Sequence, residues 1–161
     1  MAKRIVESLT EDLLRRLDGH DLSQYSDKVI LAISVDENGW PHPALLSYFE
    51  VVAKDPGNVR LVTYGDSRTT GNIRRNGKLT LVIIDTRVVY YVKGTGTELA
   101  GGMRSLPHSA KLNLLVIEVL ADEPNDAVEP GAYVSSGITY ASPQRAAGLE
   151  RAKLVIAELL D

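Results

Sequence analysis

Runs of apolar and β-branched residues, separated by short polar turns, predict β-structure through the middle of this chain. The first run ends at the turn Asp36–Gly39, and a second apolar run follows it, which predicts a hairpin. The turn at residues 54–58 leads to a third run, and three more follow residue 77. The six predicted strands are Val29–Val35, Pro43–Val52, Arg60–Tyr64, Lys78–Asp85, Val88–Glu98 and Leu112–Leu120.

Helical spacing of apolar residues appears near both ends of the chain. Residues 3–18 predict an N-terminal helix that stops at Gly19, and Ser142-Pro143 is a start signal for a C-terminal helix over 143–160. A short helix is predicted over 68–76, with Ser67 as its N-cap and Gly77 as its stop. The apolar faces are Ile5, Val6, Leu9, Leu13, Leu14 and Leu17 in the first helix, and Leu149, Ala152, Ile156 and Leu159 in the last.

The order of these elements predicts a mainly β (α+β) fold. Short connections between strands imply antiparallel pairing, and six strands at even spacing suggest a barrel flanked by N- and C-terminal helices. Strands and helices do not alternate, which argues against a Rossmann sheet. We expect a single domain over 1–161, with the barrel at about 27–122 and a proline- and acid-containing loop at 123–137.

Composition narrows the possible functions. The chain has 161 residues, a formal net charge of -3 and no cysteine. The charge argues against nucleic acid as the main partner, and the missing cysteine excludes disulfides and thiolate chemistry. The N-terminal residues lack the apolar run of a signal peptide, and no stretch of about 18 apolar residues occurs. We therefore expect a cytoplasmic protein without a membrane span.

The stretch from Thr63 to Lys78 is the strongest candidate for a binding site. It predicts a strand end, a hydroxyl-rich turn and a basic helix, and Ser67, Arg68, Thr69 and Thr70 stand where that helix begins. Hydroxyls, a guanidinium and free backbone N–H groups at a helix start can bind phosphate. The competing interpretation is an ordinary helix cap with exposed polar residues, which is a commoner arrangement.

Other chemical signals are weaker. His42 lies in a predicted strand, where it would form part of a cleft wall or act as a proton donor. With His20 and His108 scattered far from it, the histidines do not predict a metal site. Gly94 and Gly96 do not form a dinucleotide-binding loop, because the required third glycine is absent and no helix signal follows.

Three segments carry a resemblance to a known family. Ala32–Pro43 is similar to that family's opening hairpin, Thr63–Arg68 to its T-x-x-x-S-R segment, and Asn76–Leu81 with Val92–Gly94 to its next two strands. In this order and spacing, the chain resembles the pyridoxamine-phosphate-oxidase-like FMN-binding split barrels over about residues 25–120. The resemblance implies a six-stranded antiparallel split β-barrel.

The resemblance also implies a homodimer with FMN in a cleft between the subunits. Carried over by position, it assigns the flavin phosphate to Ser67, Arg68, Thr69 and Thr70. It places the ring against the backbone of residues 42–47. The ring contacts implied in this way are His42, Leu45, Ser47, Val62 and Thr63.

Departures from the family pattern argue against pyridoxamine-phosphate oxidation itself. Thr69 stands where many flavin-binding members have lysine, and Val89 where the oxidases have a glutamine that reaches the flavin. The strand at 42–47 lacks the charged ends of the oxidases, and their late tryptophan and Arg-x-His motif are missing. If the protein is an enzyme, the resemblance implies a flavin-dependent oxidoreductase. The alternative is a non-catalytic dimeric binding or sensing module with haem, a deazaflavin or no cofactor.

Overall fold

The computed structural model describes the backbone of residues 2–161 and the side chains from residue 4 onward. One eight-stranded antiparallel sheet curls into a split barrel, with helices at its ends. The strands are β1 (Ala2–Val6), β2 (Val29–Val35), β3 (Pro41–Ser47), β4 (Val51–Asp55), β5 (Asn58–Tyr64), β6 (Lys78–Asp85), β7 (Val88–Glu98) and β8 (Ser109–Glu123). The helices are α1 (Glu11–Arg16), a 3₁₀ turn (Leu22–Tyr25), α2 (Arg68–Asn76), α3 (Pro143–Ala147) and α4 (Leu149–Leu160).

The strand order is β3-β2-β6-β7-β8-β5-β4, and β1 joins β8 beyond the end of β5. The long strand β8 therefore has two partners on one side: its first half pairs with β5, and its second half pairs with β1. Strand β3 lies at one edge of the sheet, and among the described residues its one strand partner is β2. Alternate backbone N–H and C=O groups on the outer side of an edge strand are left without a strand partner.

The antiparallel barrel and several element boundaries are confirmed. The predicted strands Val29–Val35, Lys78–Asp85 and Val88–Glu98 and the helix over 68–76 have the predicted bounds. Helix α2 is capped as expected, since the Ser67 side chain accepts a hydrogen bond from the Thr70 N–H. Gly77 ends the helix in the left-handed conformation at φ 70°.

The prediction of an N-terminal helix over 3–18 is wrong in its first part. Residues 2–6 form β1, with Ile5 paired to Leu120, and the helix covers only 11–16. Thr10 starts that helix, because its side chain accepts a hydrogen bond from the Leu13 N–H. Residues 2–6 form a strand because they pair with the half of β8 that β5 does not cover. Leu13 in the helix is fully buried, as its position on the predicted apolar face implies.

Two other elements predicted as single, one strand and one helix, are divided. The divided strand and the added β1 raise the strand count from six to eight. The run 43–52 forms the end of β3 and the start of β4, because Ser47 and Glu50 close a turn between them. The last strand begins at Ser109 rather than at Leu112. The C-terminal helix breaks at Gly148, where a Cβ atom would lie 2.9 Å from the Gln144 carbonyl oxygen.

Two apolar clusters hold the molecule together. The larger fills the barrel interior and includes the fully buried Ile30, Leu61, Leu81 and Leu112. The smaller packs α4 against the outside of the barrel, where Leu159 joins residues of β4 and β5. This second cluster places the C-terminal helices beside the end of β3.

The segment at 123–137, predicted to be a loop, runs along one end of the barrel. The Arg87 N–H, in the turn between β6 and β7, donates a hydrogen bond to the Val134 carbonyl. The Val29 N–H, at the start of β2, donates one to the Ile138 carbonyl. These contacts tie the segment and its continuation to the sheet and lead the chain toward α3.

Candidate functional site

A cleft of about 190 Å³ opens between the edge strand β3, the end of β5 and the start of α2. Its walls are largely apolar, with hydroxyl groups on the side of α2. The residues that line it are Ala44, Leu45, Leu46, Glu50, Val62, Thr63, Tyr64, Ser67, Thr69, Leu106 and Ser109. Five residues expected from the sequence to bind a cofactor therefore share one cleft: Leu45, Val62, Thr63, Ser67 and Thr69.

The start of α2 leaves backbone donors without a partner. The Thr70 N–H is capped by Ser67, and the Gly71 N–H donates to the Ser67 carbonyl. Within residues 2–161, the N–H groups of Arg68 and Thr69 donate to no protein acceptor. Such N–H groups, together with the positive end of the helix dipole, attract anions. The cap that the sequence predicted is therefore present, and it leaves two donors unused.

Thr70 has a different environment from Thr69. Its hydroxyl lies 2.6 Å from the Thr63 hydroxyl, 3.0 Å from the Ser67 hydroxyl and 2.6 Å from the Tyr64 carbonyl oxygen, to which it donates. Thr70 is fully buried and lies behind the cleft wall. The hydroxyl of Thr70 therefore holds the helix start to the end of β5, whereas Thr69 borders the cleft.

The guanidinium of Arg68 is exposed, and it forms no ion pair within the described residues. By contrast, Arg74 on the same helix is fully engaged. It donates to both carboxylate oxygens of Glu98 and to the Gly65 carbonyl at 2.9 Å, which braces the turn before Ser67. The hydrogen bond from Arg74 lowers the pKa of Glu98. Arg68 is therefore the basic side chain at the helix start that is available to a ligand.

A buried polar chain connects α2 to the edge strand. The Asn72 amide is fully buried and donates to the Ser34 hydroxyl at 2.9 Å, and that hydroxyl donates to the His42 carbonyl at 3.4 Å. His42 itself is half-buried and does not line the cleft, and its contact with a ligand stays a prediction. Asn72 was missed, although its place on the buried face of α2, three residues after Thr69, is the signal that could have found it.

Ser47, the last residue of β3, is buried where the turn after the strand begins. Its N–H and its hydroxyl both donate to a carboxylate oxygen of Glu50, at 2.7 and 3.2 Å, and the hydroxyl accepts from the Phe49 N–H. Ser47 lines a second opening, a groove of about 410 Å³ between this turn and the helices α3 and α4. Glu50, Tyr64 and Leu106 line both openings, so the cleft and the groove lie side by side.

Two absences apply to the described part of the chain. Among residues 2–161, no group of three or more histidine and acidic side chains is arranged to hold a metal ion. In the same range, no helix is long and apolar enough to cross a membrane.

Val89, which stands at the position of the family's glutamine, is buried within β7 and does not line the cleft.

A model of the pyridoxamine 5'-phosphate oxidase family matches residues 23–123, which is more than half of the chain. The chain belongs to the pyridoxamine 5'-phosphate oxidase family. The matched range runs from the 3₁₀ turn to the end of β8 and includes every residue that lines the cleft. The helices α3 and α4, which form the far wall of the groove, lie outside it.

A curated relative matches a shorter range of the chain. The uncharacterized protein YclD of Bacillus subtilis (strain 168) is 31% identical over 88 residues, which are 55% of this chain and 57% of that protein. The chain thus spans little more than half the length of the curated relative that it matches.

Solved structures share the family's fold. A proposed pyridoxamine 5'-phosphate oxidase from Lactobacillus delbrueckii covers 74% of this chain and 98% of its own, with a TM-score of 0.59 and 19% identity. HupZ of Group A Streptococcus covers 83% and 99%, with a TM-score of 0.55 and 15% identity. Rv2991 of Mycobacterium tuberculosis covers 84% and 98%, with a TM-score of 0.55 and 11% identity. At these identities the likeness concerns the split-barrel fold alone.

Proposed function

We propose that this family member binds FMN, with the phosphate at the start of α2 and the ring system along the edge strand β3. The observation that carries the proposal is the pair of unused N–H donors of Arg68 and Thr69, next to a cleft that Thr69 lines. The Thr69 hydroxyl makes no side-chain hydrogen bond within the described residues, and the Arg68 guanidinium has no counter-ion there. Four donor groups of Arg68 and Thr69 at the helix start are thus free for a phosphate.

The remaining cleft walls suit a flat aromatic ring. Leu45 and Val62 provide apolar contacts, and the outer side of β3 offers unpaired backbone groups for hydrogen bonds at the edge of the ring. Two of the residues assigned from the sequence take supporting roles in this proposal. Ser47 shapes the turn at the end of β3, and Thr70 fixes the helix start.

We further propose that a second copy of the chain completes the cleft. A volume of about 190 Å³ is small beside the ~300–1,000 Å³ typical of ligand pockets. At its rim, 55% of Leu45 and 74% of Tyr64 are exposed. Apolar groups exposed beside a ligand are commonly covered by a partner. A symmetric homodimer would bury both residues and enclose the ring.

The proposed activity is that of a flavin-dependent oxidoreductase. A bound flavin would supply hydride or electron transfer, and the protein would supply orientation and the exclusion of water. The residues that line the cleft include no histidine and one carboxylate, that of Glu50.

The second candidate is a binding module without redox activity, which Glu50 favours. A carboxylate in the wall repels negative charge and so disfavours a cofactor that becomes more negative on reduction.

The phosphate position is tested by replacing Arg68 with alanine and titrating the protein with FMN and with riboflavin, which lacks the phosphate. A charge-assisted hydrogen bond contributes about 1.5–3 kcal/mol, so FMN affinity is expected to fall roughly 10- to 150-fold. Riboflavin affinity should not change. Lys78→Ala is the control, because Lys78 is an exposed cation of the same basic stretch but stands at the start of β6 and not at the start of α2. Equal losses for both flavins, or no loss, would rule out this phosphate position.

A further inference from the structure

The groove beside the cleft contains two arginines that the proposed flavin site does not use. It lies between the turn after β3 and the helices α3 and α4, and both Arg145 and Arg151 line it. Neither arginine has a carboxylate within 4.0 Å among the described residues. Arg104, also close to α4, is paired with Glu158 in contrast. Both guanidinium groups of the groove therefore lack an ion-pair partner among the described residues, and the one carboxylate in the groove wall is that of Glu50.

Arg145 has an unsatisfied donor. The central carbon of its guanidinium lies over the Tyr140 ring, 4.5 Å from the ring centre. Its Nη1 atom is buried and has no hydrogen-bond partner among the described residues. Buried charged donors without an acceptor are rare, because burial removes the water that would otherwise satisfy them.

A second arginine helps to separate stacking from ligand binding. Arg87 stacks on Tyr133 in the same way, at 4.9 Å, but it lies in the turn between β6 and β7 and outside the groove. Its guanidinium has no buried, unpartnered nitrogen. Stacking alone therefore does not require the buried donor that Arg145 presents. Unlike Arg87, Arg145 also lines the groove, where an acceptor could bind beside its guanidinium.

We propose that Arg145 and Arg151 form a subsite for the carboxylate of a second ligand, a small organic acid that binds beside the cleft. A guanidinium presents a planar fork of donors that matches a carboxylate. Leu106 and Tyr64, which line both the groove and the cleft, would contact the apolar body of the acid. Glu50 at the junction disfavours a second negative charge, so the ligand class is a monocarboxylate.

That this acid is the substrate of a flavin-dependent reaction rests on the proposed function, whereas its binding to the groove does not. The groove lies largely outside the sequence range that matches the family, since Arg145 and Arg151 belong to α3 and α4. The specificity for an acid would therefore be a property of the C-terminal helices, added to the family's barrel.

The experiment uses benzoate and its neutral analogue benzamide as probes, at constant ionic strength and without FMN. Saturation-transfer NMR and calorimetry would measure their affinities for the wild-type protein and for the Arg145→Gln and Arg151→Gln variants. We expect benzoate to bind at least tenfold more tightly than benzamide, and each variant to lose at least fivefold in benzoate affinity. Arg87→Gln is the matched control and should bind benzoate as the wild type does.

Arg145→Lys keeps the charge without the fork and should lose part of the benzoate affinity, which keeps the test valid if the glutamine variant unfolds. Equal binding of benzoate and benzamide, or unchanged benzoate binding in Arg145→Gln, would overturn the subsite.

A titration with FMN and riboflavin separates the subsite from the cofactor site. Benzoate binding that depends on Arg145 in a protein that binds no FMN would support the subsite while refuting the proposed function. If Arg145→Gln weakens FMN but not riboflavin, and FMN displaces benzoate, the groove holds the cofactor's phosphate and the proposal of a second ligand is wrong.

Discussion

Replacing Thr70 by valine is expected to destabilise the protein, whereas the same change at Thr69 is expected to weaken FMN binding. The two residues are adjacent and buried, with exposed fractions of 0% and 4%, and valine has nearly the shape of threonine. The Thr70 hydroxyl contacts Thr63, Ser67 and the Tyr64 carbonyl, while the Thr69 hydroxyl has no side-chain hydrogen bond within residues 2–161. Comparing these two substitutions therefore distinguishes a residue that supports the structure of the site from a residue that contacts the ligand.

The magnitudes follow from these contacts. At about 1 kcal/mol net for each hydrogen bond, the loss of three contacts lowers the free energy of unfolding of Thr70→Val by about 2–3 kcal/mol. For a chain of this size that corresponds to a fall in Tm of about 4–12 °C. Thr69→Val should stay within about 0.5 kcal/mol of the wild type. Its FMN affinity should fall roughly 10- to 150-fold, since a hydrogen bond to a charged phosphate is lost.

Urea denaturation would measure the stability of both variants, and flavin fluorescence would measure their FMN affinity. The reasoning would be refuted if Thr69→Val lost as much stability as Thr70→Val. It would equally be refuted if Thr69→Val bound FMN as tightly as the wild type.

Two further substitutions test the electrostatic contacts that tie α1 and α4 to the rest of the fold. Arg16 forms ion pairs with Asp12 at 2.9 Å and with Asp85 at 2.6 Å, and only 18% of its side chain is exposed. Arg16→Met should therefore lower the free energy of unfolding, measured by urea denaturation, by about 2–3 kcal/mol. This loss is smaller than the ~3–5 kcal/mol expected when a fully buried ion pair is broken. Glu158 accepts hydrogen bonds from the Ser105 hydroxyl and from backbone N–H groups, which lower its pKa to about 2. Glu158→Gln should therefore lower the free energy of unfolding by about 1.5–3 kcal/mol at pH 7. The difference in stability between this variant and the wild type should shrink as pH falls from about 4.5 to about 2.

The sign of the pH effect follows from the lowered pKa. The folded protein holds Glu158 ionised, so its stabilisation is complete above the unfolded pKa and is lost as the carboxylate is protonated. Controls come from exposed partners nearby: Arg15→Met, with 68% of its side chain exposed, and Glu150→Gln, with 88% exposed, should each change stability by less than about 0.5 kcal/mol. A constant difference between Glu158→Gln and the wild type down to pH 2 would contradict the assignment.

Local signals explain why part of the site could be predicted from the sequence. Helix α2 begins at a serine cap and ends at a glycine in the left-handed conformation, and both features act within one turn of the chain. The strands on either side of the turn at 86–87 are long apolar runs with clear ends. The position of the cleft followed from these elements together with the resemblance to the family.

The features that could not be predicted depend on residues far apart in the chain. Residues 2–6 form a strand only because they pair with residues 119–123. The hydroxyl of Thr70 is engaged because β5 brings Thr63 against it, and nothing in the hydroxyl-rich turn distinguishes it from Thr69. The groove exists because α4 packs on the outside of the barrel, which places Arg145 near a turn almost a hundred residues earlier in the chain.

The central claim is that the cleft between β3, β5 and α2 binds FMN. The most direct measurement is an equilibrium titration of the wild-type protein with FMN, followed by flavin absorbance and fluorescence. We expect saturable binding of one FMN per chain with a Kd in the micromolar range or below, and weaker binding of riboflavin. An absence of saturable FMN binding, with a deazaflavin or haem binding in its place or with no ligand bound, would contradict the claim and remove the basis for an oxidoreductase activity.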